Sequence, residues 1–93
     1  NPGNPQGWLL SATLSRRLDD LAMAQVQIEE AAKLMPIDPE IGLEAGVIAV
    51  LAGNKEAARK SWQSVIDAAP DSDAAGTARG YLAQLGQEDT PQP

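Results

Sequence analysis

Three prolines, Pro2, Pro36 and Pro70, stand 34 residues apart along a chain of 93. The landmarks that follow them keep the same step. Asn4, Asp38 and Ser72 all suit the residue that caps a helix N-terminus, and Pro5, Pro39 and Asp73 come directly after them. Proline at the first helical position gives up only an N–H that has no intrahelical partner there. Each of these points therefore reads as the start of a helix. The interior stays in register as well: Ala12 aligns with Gly46 and Gly80, Ala24 with Ala58, Ile28 with Trp62, and Ala31 with Val65. A period of this length points to stacked units that bury their apolar faces against one another.

Two helices fit inside each period. The first runs over 5–18, with Leu9, Leu10, Leu14 and Leu18 apolar at helical spacing. Asp19-Asp20 breaks it and caps a second helix over 21–34, whose stripe is Leu21, Ala24, Ile28, Ala31 and Leu34. The next period repeats the plan with a helix over 39–52, a Gly53-Asn54 turn and a helix over 55–68. A fifth helix over 73–85 ends at Gly86 and leaves a polar tail, 87–93, expected to be disordered. Only three residues are aromatic, Trp8, Trp62 and Tyr81, and alanine supplies much of the apolar content. Such a composition favours closely packed helices over a β-core.

The same composition removes several classes of function. With no cysteine there are no disulfides or thiolate metal sites, and with no histidine the commonest general base and metal ligand is absent. The net charge of −6 argues against nucleic acid and against anionic membrane surfaces. No apolar run approaches the roughly 20 residues needed to span a bilayer. Gly42 and Gly46 form a G-x-x-x-G, which in an alanine-rich amphipathic setting permits close contact between soluble helices. No glycine cluster precedes a G-K-[ST] phosphate loop, and the acidic residues read as caps or outward faces, so catalysis, metal and cofactor are not expected.

The 34-residue period, with Trp8, Ala12, Ala24-x3-Ile28 and Pro36 in one unit and Gly46, Ala58-x3-Trp62 and Pro70 in the next, resembles the tetratricopeptide repeat. Ser11 and Ala45 stand where that pattern has leucine, Ser15 and Ala49 where it has tyrosine, and Gly42 where the first unit has Trp8. The resemblance implies an all-α fold, a right-handed α-α superhelix of two helix-turn-helix repeats plus a C-terminal capping helix. Its divisions are 1–4 as the end of an upstream repeat or linker, 5–38, 39–72, the capping helix 73–86 and the tail 87–93. The register of Pro2 predicts a further repeat upstream in a longer bacterial protein, and the final helix reads as the closing end of the array.

In the tetratricopeptide family the first helix of each repeat lines a concave surface that holds ligands. Carried over by register, the partner-binding residues are Leu9, Thr13, Arg16, Arg17, Glu40, Leu43, Val47, Val50 and Tyr81, with Gln6, Leu51 and Thr77 beside them. Some relatives clamp a partner's terminal carboxylate there with basic residues, whereas here Leu9, Thr13, Leu43 and Val47 occupy the place. The expected partner is therefore a protein, presenting an amphipathic helix or an apolar peptide. Two other occupants of the surface stay open, the preceding repeats and a second copy of the fragment. Taken alone, Arg16-Arg17 reads as a solvated helix face. A narrower resemblance, through Lys60-Ser61-Trp62-Gln63 and the segment 69–75, is to the terminal repeats of bacterial cytochrome c maturation factors, which bind apocytochrome in the periplasm. No compartment follows from the sequence itself.

Overall fold

The computed structural model describes residues 3–89 and is all-helical over that range. Five helices follow one another: α1 (Pro5–Arg17), α2 (Leu21–Leu34), α3 (Pro39–Leu51), α4 (Lys55–Ala68) and α5 (Asp73–Asp89). Residues 1–2, with the Pro2 register, and residues 90–93, the end of the expected tail, lie outside the described residues. One boundary needs correction. Gly86 does not stop the last helix, which continues through residues 87–89 to Asp89.

Local chemistry accounts for every helix start. Asn4 Oδ1 accepts the Gln6 N–H at 3.0 Å, and Asp38 Oδ1 accepts those of Glu40 and Ile41 at 2.8 and 3.2 Å. Asp20, Asn54 and Ser72 accept from Met23, Ala57 and Ala75 in the same way. These caps satisfy donors that the first turn of a helix leaves over. The tight turns use a left-handed residue at Asp19 (φ 63°) and at Gly53 (φ 85°).

The period seen in the sequence is also a period of the backbone. Asp19 N–H donates to Arg16 and Asp20 N–H to Ser15; 34 residues later Gly53 donates to Val50 and Asn54 to Ala49. The bonds closing α2 and α4, Met35 to Ala31 and Ala69 to Val65, obey the same offset.

Each helix packs on its sequence neighbours, and alternate helices also meet, α1 with α3 and α3 with α5. Helices α2 and α4 do not touch. The result is an elongated stack of 51 × 30 × 16 Å. Its core has two parts. Ala12, Ala24, Ile28, Ala31, Ile41 and Ile48 form one, and Ala49, Ala58, Trp62, Val65, Ala74, Ala78 and Leu85 the other.

The seam between α3 and α4 explains the paired glycines. A Cβ on Gly46 would overlap the indole of Trp62, and one on Gly42 would lie 2.5 Å from Val65 Cγ2. Trp62 thus lies flat against the α3 backbone, buried, and its indole N–H donates to the Leu43 carbonyl at 3.3 Å. In register, Trp8 and Ala12 of α1 stand where Gly42 and Gly46 stand in α3, opposite Ala31 and Ile28 where α4 has Val65 and Trp62. Bulk lost from one side of the seam is supplied from the other.

The leucines of α1 do not form the buried stripe expected of them. Ala12 is buried there, with Trp8 and Leu9 packed against the core, while Leu10, Leu14 and Leu18 are exposed. Leu14 has the register of Ile48, which is buried in the cluster shared by α1, α2 and α3. Among the described residues no helix precedes α1 to cover it.

Candidate functional site

Because alternate helices meet along one side of the stack, α1, α3 and α5 present a shared face. Two adjoining depressions open on it. One, of about 250 Å³, is lined by Leu9, Thr13, Arg16, Glu40, Leu43, Glu44, Val47 and Tyr81. The other, of about 230 Å³, is lined by Val47, Val50, Trp62, Tyr81, Gln84 and Leu85. Val47 and Tyr81 belong to both and form the saddle between them. Tyr81 is held by its ring contact with Trp62, 5.0 Å between centroids and tilted by 43°. That spacing is the range in which aromatic pairs attract beyond simple area burial.

The two halves differ in chemistry. Around Val50 and Leu85 the lining is apolar apart from Gln84. Toward α1 it is polar, organised by an ion pair between Arg16 and Glu44. Arg16 Nε donates to Glu44 Oε2 and its Nη2 to Oε1 at 3.3 Å, a forked arrangement. Thr13 Oγ1 lies 2.9 Å from Glu44 Oε1 and 3.1 Å from the Leu9 carbonyl, with one proton to give. The Glu44 side chain is only 11 % exposed, so the pair is partly withdrawn from water. Hydrogen bonding to Glu44 raises the Arg16 pKa above its ordinary value against the opposing effect of burial.

Eight of the nine residues expected at the site come together in these two depressions. Leu9, Thr13, Arg16, Glu40, Leu43, Val47 and Tyr81 line the polar one, and Val50 lines the apolar one. Arg17 lines neither and is exposed. Gln6, Leu51 and Thr77 also fall outside, the Thr77 hydroxyl donating to the Asp73 carbonyl of its own helix. Arg16 is likewise not a solvated charge. Glu44, Trp62, Gln84 and Leu85 were not singled out for the site from sequence. Glu44 also departs from the expectation that every carboxylate sits on a cap or an outward face. Its repeat position, shared with Leu10 and Ala78, gave no sign of a polar contact across helices.

No group of His, Cys, Asp or Glu among the described residues is placed to hold a metal ion. No helix in that range is long and apolar enough to cross a membrane. Compared with known proteins, the chain matches no family model, no curated protein and no solved structure.

Proposed function

We propose that this chain is a tetratricopeptide-type interaction module: two helix-turn-helix repeats and a closing helix in a right-handed superhelix, whose groove binds a helix or peptide of a partner protein. The fold part of this reading is supported by the 34-residue step in sequence and turn hydrogen bonds, and by helices that meet only near neighbours. The single observation that carries the binding part is the continuous lining of the groove. Four helices contribute to it, α4 through Trp62, and Leu43, Val47, Val50 and Tyr81 remain only partly buried although they pack on the core. A partner helix or strand would complete that burial, which is the usual source of affinity in such docking.

The test sets the chain beside a Leu43→Glu/Val47→Glu variant shown by circular dichroism to be folded. Both are used to select from a displayed library of short random peptides. Peptides retained by the parent chain and lost by the variant are expected. If both enrich the same pool, or neither enriches any, the groove is not the binding surface.

A further inference from the structure

We propose that the groove recognises a peptide segment in which a large apolar side chain lies next to a lysine or arginine. This rests on the groove reading above and names the chemistry of its occupant. At about 230 and 250 Å³, each depression is smaller than the roughly 300–1,000 Å³ of small-molecule sites, so each suits a side chain. They share Val47 and Tyr81, so their two occupants belong to neighbouring positions of one segment. The half lined by Val50, Trp62 and Leu85 takes the apolar side chain.

The charge of the other half follows from its pairing. The lining of the two depressions contains three charged residues, Arg16, Glu40 and Glu44. Arg16 and Glu44 neutralise one another, which leaves Glu40 as the uncompensated charge. Its position in the first turn of α3 does not use it up. Asp38 Oδ1 already accepts the N–H groups of Glu40 and Ile41, and the Glu40 carboxylate has no hydrogen bond or ion pair among the described residues. A cationic side chain entering the polar depression would meet Glu40, while a carboxylate would find the guanidinium that lines it, that of Arg16, occupied. The net charge of −6 steers a cationic segment toward the chain in the same sense. The Tyr81 hydroxyl and the Gln84 amide, also without hydrogen-bond partners among the described residues, are available to the peptide backbone.

Peptide selection with the intact chain, Glu40→Gln, Glu40→Lys and Val47→Glu separates this proposal from the reading beneath it. The parent chain is expected to enrich Lys or Arg beside a large apolar residue. A synthetic peptide of the enriched sequence should bind Glu40→Gln about two- to fivefold more weakly, the range of an exposed ion pair. Glu40→Lys should select Asp or Glu in its place. Val47→Glu, with helical content unchanged, should lose all of them. Enriched peptides without a basic residue, or equal binding by parent and Glu40→Gln, would overturn the proposal and leave the groove standing. Peptides that Val47→Glu still binds, or no enrichment at all, would sink both. A dimer in sedimentation that Val47→Glu dissociates would assign the groove to a second copy of the chain and overturn the peptide proposal.

Discussion

Gly46 and Gly80 hold the same place in the repeat and have opposite surroundings. A methyl group on Gly46 meets the Trp62 indole, whereas nothing lies within 4 Å of one on Gly80, since among the described residues no helix follows α5 to pack on it as α4 packs on α3. Gly46→Ala should therefore lower stability by about 1–2 kcal/mol, overpacking outweighing the gain in helix propensity. Gly80→Ala should raise it by about 0.5–1 kcal/mol, since an exposed helical glycine only loses chain entropy on folding. Urea unfolding midpoints decide the matter, and shifts of the same sign in both variants would disprove this account of the seam. The residue scale is also where sequence reasoning was weakest. Arg16 and Arg17 look alike in the sequence, but consecutive helix residues point about 100° apart. That rotation turns Arg16 toward Glu44 and leaves Arg17 in water. Glu44 lies 28 residues from Arg16, a pairing set by how α1 and α3 lie side by side and by no local pattern.

At the scale of the element, helix starts were legible because each is decided by a few adjacent atoms: a cap oxygen, a proline, a left-handed turn residue. Bounds expected for α2 and α4 match those found, and α1 and α3 end one residue early. The end of α5 was not legible for the complementary reason. Glycine permits the left-handed conformation that closes a helix but does not impose it, and Gly86 remains helical. The two tight turns offer a direct test. Asp19 adopts the backbone conformation that Gly53 adopts in the second unit, with the same hydrogen bonds, yet it carries a Cβ. A non-glycine residue in that region is disfavoured by about 1–2 kcal/mol, partly offset by glycine's greater entropy loss. Asp19→Gly should raise the unfolding free energy by about 0.5–1 kcal/mol, measured by urea denaturation. A loss of stability would mean that the Asp19 side chain contributes something beyond the turn.

For the molecule as a whole, α3 is the one helix that meets all four others, while α1 meets only α2 and α3 and leaves Leu10 and Leu14, with Leu18 just after it, exposed. Stability should grade accordingly. Native-state hydrogen exchange is expected to be slowest in α3 and faster in α1, with openings that release α1 while α3 to α5 stay closed. Equal protection of α1 and α3 would show that the stack unfolds as one unit. The exchanged seams carry a last consequence. In one hairpin the bulk sits on the first helix, as Trp8 and Ala12; in the other it sits on the second, as Trp62 and Val65 facing two glycines. Recombination that spliced α1 onto α4 through the matching turns would keep reading frame, caps and turn geometry, and still set Trp8 and Ala12 against Val65 and Trp62. The two units are interchangeable as backbone, but each pair of helices is cut to its own seam, and a helix moved between them would need its new neighbour re-cut to match.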